Sequence, residues 1–144
     1  MSGVQYGGNG APGDVDDDGY EDAAFVDYGT KHVYIFLGPP TTGLTTSDAW
    51  ASATGTMVTA GDTDGDGSEE LFVGATSTIR RYAFPIPSGA LSDDVAAISY
   101  GASTNELISP NAGIDFSADG YGDLIFAYSG SGTDYVRMFE GGVE

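Results

Sequence analysis

The chain has 144 residues, 40% of them apolar and 12% aromatic, which is one domain's length with enough apolar surface for a core, and not the composition of a disordered acidic tail. Twenty-two acids outnumber four bases (Lys31, Arg80, Arg81 and Arg137), and the formal charge of −18 argues against nucleic acid or an anionic membrane as partner. There is no cysteine and no apolar stretch of membrane-spanning length, and residues 1–3 (Met-Ser-Gly) do not open a signal peptide.

In chain order, the 13 residues before Asp14 have room for one strand. An acidic loop follows over residues 14–22, with Asp14, Asp16, Asp18 and Asp22 at its positions 1, 3, 5 and 9 and Gly19 at position 6. Two short apolar runs come next, residues 23–26 and 33–37. They are β-branched and aromatic and bounded by Gly and Pro, which predicts strands. The pattern then repeats. Asp62, Asp64, Asp66 and Glu70 around Gly67 lead into residues 71–73 and 79–84, and Asp115, Ser117, Asp119 and Asp123 around Gly120 lead into residues 124–127 and 135–139. No long 3.6-residue period is present, so the chain reads as all-β.

The spacing of the acids points to calcium. A hard cation of this kind takes about 6 to 8 oxygen ligands at roughly 2.3–2.6 Å, so carboxylates must converge from alternate residues of a tight loop. Glycine at position 6 supplies the sharp turn at little steric cost. Position 7 (Tyr20, Ser68 and Tyr121) would add its backbone carbonyl. An EF-hand shares the opening but needs a bidentate Glu at position 12 between two helices. Here position 12 is Phe25, Val73 and Phe126, each inside an apolar run, which leaves the acid at position 9 as the last ligand. Asp and Gly clusters also make ordinary turns. However, the loops share one register, and the first two each pack several carboxylates that would repel one another without a cation. Up to three ions are expected, the third bound more weakly because Ser117 replaces an anionic ligand. Fourteen of the 22 acids lie in these loops, and three calcium ions would bring the charge from −18 to −12. Loops of this sort in extracellular modules bind at about 10⁻⁴ to 10⁻³ M, which predicts an extracellular or cell-surface setting with any export signal outside this sequence.

The loops begin 48 and 53 residues apart, the period of a four-stranded propeller blade. Runs that are apolar on both faces suit sheets stacked blade on blade. The expected division is blade 1 at about 1–55, blade 2 at about 56–106 and an incomplete blade 3 at about 107–144. With 30 residues from Asp115 to Glu144, the last blade lacks room for an outer strand. Known closed propellers have about 4 to 8 blades, so three leave a free edge and two uncovered faces.

At these residues the sequence resembles the FG-GAP repeat family, the calcium-binding blades of integrin α-subunit propellers and of many bacterial secreted proteins. Residues 60–67 (Ala-Gly-Asp-Thr-Asp-Gly-Asp-Gly) and 71–76 (Leu-Phe-Val-Gly-Ala-Thr) are similar to the family's "GDxDGDG … LxVGAP" core, with Thr76 in place of Pro. Residues 33–38, Gly43-Leu44 and Ala49-Trp50 resemble its "VYVFLG … GL … AW" strands, while the Phe-Gly half of the family name has no clear counterpart. The resemblance implies a β-propeller segment and an adhesion or binding scaffold.

The other chemistry-bearing residues read as structural. His32 has no second His or Cys for zinc, and Ser129 fails the nucleophile-elbow pattern because Ala127 precedes it by two. Trp50, Tyr34, Tyr82 and Tyr135 are strand aromatics before they are sugar platforms. Arg80 and Arg81 are expected to pair with nearby carboxylates, or to form a subunit contact. The sequence therefore predicts a non-enzymatic, calcium-stabilised extracellular scaffold. Its partners would be a second copy or further blades, and a protein or glycan ligand. A subunit of an extracellular fibre or coat and a carbohydrate-binding domain are the alternatives.

Overall fold

In a computed structural model, which describes residues 6–10, 12–39, 42–75, 78–92, 97–99, 106–130 and 133–142, the regular elements of the described chain are strands apart from one 3-10 turn at Thr46–Asp48. Residues 1–3, Thr76 and Ser131-Gly132 lie outside the described residues. The strands are β1 (Tyr6–Gly10), β2 (Ala23–Asp27), β3 (His32–Phe36), β4 (Ala51–Thr54), β5 (Met57–Gly61), β6 (Glu70–Ala75), β7 (Thr78–Ala83), β8 (Gly89–Ala90), β9 (Ala97–Ser99), β10 (Glu106–Ile114), β11 (Asp123–Gly130) and β12 (Thr133–Phe139). They form three sheets, in the orders β1-β2-β3-β4-β8, β5-β6-β7-β9 and β10-β11-β12. Apart from the β4–β8 pair, neighbours run antiparallel.

Each sheet runs in sequence order from its first strand outwards. One element departs from this. The two-residue β8 lies after β7 in the chain yet pairs parallel with β4, where Gly89 and Leu91 donate to the carbonyls of Trp50 and Ser52 at 2.8 Å each. The segment carrying β8 thereby straps the second repeat to the first.

Apolar side chains alternate along β2 and β3. Ala24, Val26, Val33 and Ile35 point to one side, where they meet Leu71, Val73 and Tyr82 of the second sheet in one buried cluster. A second cluster joins Phe72 and Ile79 to Leu124 and Phe126 of the third sheet. The middle strand β6 is thus apolar on both faces because a sheet covers each of them. Full burial of such side chains is worth about 1.5–3 kcal/mol each. The remaining faces, on the first sheet at Phe25 and on the third at Val136, are exposed.

Adjacent sheets meet most closely at their inner strands. The Gly61 backbone at the end of β5 lies against Ala112 and Gly113 of β10, where the register shifts and Gly113 has φ +79°. A Cβ at Gly61 would stand 2.5 Å from the Gly113 nitrogen, so two backbones touch where no side chain fits.

Candidate metal centres

Each acidic loop joins the inner strand of its sheet to the second strand, so the three loops sit at equivalent corners. Their internal hydrogen bonds repeat. The position 1 carboxylate accepts two loop amides: Asp14 from Asp18 (2.9 Å) and Gly19 (2.7 Å), Asp62 from Gly65 (2.7 Å) and Gly67 (3.1 Å), and Asp115 from Asp119 and Gly120 (3.1 Å each). The position 5 carboxylate accepts the position 7 amide: Asp18 from Tyr20, Asp66 from Ser68 and Asp119 from Tyr121, at 2.7–3.0 Å. Position 6 is left-handed in every loop, with Gly19 at φ +91°, Gly67 at +90° and Gly120 at +96°. Position 4 is left-handed as well, at Asp17, Gly65 and Ala118. These three residues share no type, so sequence reasoning passed over this requirement.

The acid at position 9 closes the loop. Asp22 accepts the Val15 amide at 2.8 Å, Glu70 the Thr63 amide at 2.9 Å, and Asp123 the Phe116 and Ser117 amides at 2.8 and 2.7 Å. Asp22 and Asp123 spend their other oxygen on an amide just past the third strand, Gly38 at 2.7 Å and Gly141 at 3.1 Å. All three acids are buried. At Asp123, burial pushes the pKa up, but the amides of Gly141, Ser117 and Phe116 and the Ser117 hydroxyl outweigh it and hold the group below the usual carboxylate range.

Carboxylates converge in two of the loops. Ligand oxygens of Asp62, Asp64, Asp66 and Glu70 lie within 4.8 Å of one another, as do those of Asp14, Asp16 and Asp18. Asp22 is outside the first cluster, and among the described residues the third loop brings no such group together. There Ser117 is turned to Asp123, its hydroxyl 3.5 Å from the carboxylate. The position 7 residues are exposed at Tyr20 and Ser68 and half-buried at Tyr121.

The donor set in both clusters is anionic oxygen alone, which suits a hard divalent cation. The first cluster supplies a further sign. Asp16 Oδ1 is buried with no hydrogen-bond partner. Loss of solvent, and then the charges of Asp18, Asp22 and Asp14, push its pKa up. A buried anionic oxygen without a partner costs free energy that a cation would recover. The first two loops also face one another across a cleft of about 370 Å³ lined by Asp14, Asp17, Glu21 and Glu69. The pKa of Glu69 is raised there by burial and by Glu21, Asp62 and Glu70.

The remaining sequence candidates are accounted for locally. His32 Nδ1 lies 2.8 Å from the Thr30 carbonyl in the β2–β3 turn. Trp50 packs on the first core cluster and donates from Nε1 to the Ile86 carbonyl at 3.2 Å. Arg81 pairs with Asp64 and approaches Glu70. No helix among the described residues is long and apolar enough to cross a membrane.

Comparison with known proteins adds one finding. Residues 14–73 match the FG-GAP-like repeat family, a span running from the first ligand position of the first loop through the second loop into β6. No curated protein and no solved structure matched the chain.

Proposed function

We propose, from the FG-GAP-like repeat carried by residues 14–73, that the chain is a calcium-stabilised β-propeller-type binding module working outside the cell as an adhesion or binding scaffold. The observation that carries this reading is the convergence of carboxylate oxygens in the first two loops, with Asp16 Oδ1 buried and unpartnered in one of them. Asp14, Asp16 and Asp18 would hold one ion and Asp62, Asp64, Asp66 and Glu70 another; Asp115, Asp119 and Asp123 would hold a third weakly. Calcium would neutralise each corner and fix the start of the following strand, so that the module presents a rigid surface. The acids are thereby assigned to holding loops and not to acid–base chemistry. Calorimetric titration with calcium, paired with melting curves in calcium and in chelator, tests this. Binding of about two ions per chain at the affinity of extracellular loops, with a higher melting temperature in calcium, is expected. A chain that binds no calcium and melts identically in chelator would refute it.

A second reading, association with further blades or a second copy, is favoured by the open face of the third sheet, where Val136 is 73% exposed, and by the third loop, where Phe116 is 72% exposed.

A further inference from the structure

We infer that Arg81 is a resident counter-cation of the second acidic loop, setting how tightly that loop takes a divalent cation by occupying two of its carboxylates when the cation is absent. The inference rests on the calcium reading of that loop. Arg81 lies on β7 opposite Phe72 of β6. Its Nη2 donates to Asp64 Oδ2 and stands 3.5 Å from Glu70 Oε1. Both carboxylates belong to the four-acid cluster, so guanidinium and metal draw on the same oxygens.

The three repeats differ at this point in a connected way. In the first and third, the second oxygen of the position 9 acid is taken by the amides of Gly38 and Gly141. In the second repeat the residue in the same register, three past Arg81, is Phe84, and Glu70 accepts from the Thr63 amide and hydroxyl with Oε2. There the acid is glutamate, one methylene longer, and its free oxygen turns towards Arg81. The residues in register with Arg81 in the other sheets are Ile35 and Met138, neither of them charged. In the second loop a charged guanidinium nitrogen, shared between Asp64 and Glu70, thus stands where the other loops use an amide.

Linkage sets the sign. A tethered cation that stabilises the empty loop must lower metal affinity by the factor it loses when metal enters. If Arg81 instead stayed in place and merely oriented Asp64, removing it would weaken metal binding, so the two roles predict opposite changes.

The test is calcium calorimetry on the full chain carrying Asp16→Asn, which silences the first loop, with and without Arg81→Gln. A gain in second-loop affinity of about twofold to fivefold in the Arg81→Gln chain is expected, the range for a partly exposed ion pair, with a lower melting temperature in chelator. Unchanged or weaker calcium binding overturns the inference while leaving the calcium reading intact. Absence of binding in both chains overturns the calcium reading and this inference with it. Should Arg81→Gln fail to fold, NMR of the arginine side chains in the unmodified chain decides. Arg81 guanidinium signals are expected to shift on calcium addition, and signals unmoved at saturation refute displacement.

Discussion

Position 4 of the acidic loop needs a left-handed backbone, and the three loops meet that need unequally: Gly65 does so freely, Asp17 is a tolerated residue type, and Ala118 sits at φ +64°. An L-residue in this region costs about 1–2 kcal/mol, against about 0.5–1 kcal/mol for the extra freedom a glycine loses on folding. Ala118→Gly should therefore stabilise the chain by roughly 0.5–1 kcal/mol, read by denaturant unfolding, and a loss of stability would show the strain to be relieved by other means. Asp27 gives a pH-dependent counterpart. Its carboxylate accepts from the Thr30 hydroxyl and the Gly29 amide at 2.8 Å each, holding the β2–β3 turn, and these bonds, led by the hydroxyl, keep its pKa below the ordinary value. A depressed carboxylate stabilises the fold above its unfolded value of 3.8, and that stability is lost as pH falls through the lower folded value. Asp27→Asn should accordingly lower the melting temperature at neutral pH, and the gap to wild type should close on acidification below that value. A gap that stays constant with pH would show that charge is not what the turn uses.

Elements in this chain are fixed by features of different reach. The strands after each loop were legible because residues 23–26 and 33–37 alternate or run apolar over a few positions, and the loops because Asp and Gly recur at fixed local spacing. What escaped the sequence depends on distant partners. The position 9 acids accept amides 16 and 18 residues away, at Gly38 and Gly141, and nothing local marks those glycines as donors. The strand β8 is two residues of Gly and Ala, too short for any period, and belongs to the first sheet only through its bonds across the repeat boundary. The Gly61–Gly113 contact was equally hidden, since nothing local marks either glycine as meeting the other. It yields a sharp expectation. The atoms a Cβ at Gly61 would meet are backbone of Ala112 and Gly113 and cannot rotate away, so Gly61→Ala should cost about 1–3 kcal/mol, in the range of overpacked cores. An unchanged melting temperature would show that β5 and β10 can separate without loss.

At the scale of the molecule the repeats dock by one rule. Leu71 and Val73 of β6, and Leu124 and Phe126 of β11, occupy corresponding positions and face the preceding sheet, while Ala24, Val26 and Phe72 face the following one. A backbone bond accompanies each contact: Ile86 donates to the Val15 carbonyl at 2.6 Å and Gly142 to the Thr63 carbonyl at 2.9 Å, so each sheet clasps position 2 of the loop before it. Val15 and Thr63 are buried by that clasp, whereas Phe116, their counterpart in the third loop, is 72% exposed. A second copy laying its first sheet on this face would cover Ile125, Val136 and Met138 with Phe25, Tyr34 and Phe36. It could not complete the clasp, because the residue matching Ile86 and Gly142 is Pro39, which lacks the amide. Apolar burial without that bond gives weak and reversible association, at about micromolar strength or poorer. Sedimentation velocity of the wild-type chain should show a sedimentation coefficient that rises with concentration. Val136→Lys places a charge at the centre of the apolar strip and should hold the chain at its monomer value throughout, with its melting temperature nearly unchanged because the site is exposed. A wild-type chain that stays monomeric at every concentration, or a lysine variant that associates equally well, would exclude this face as the route of self-association.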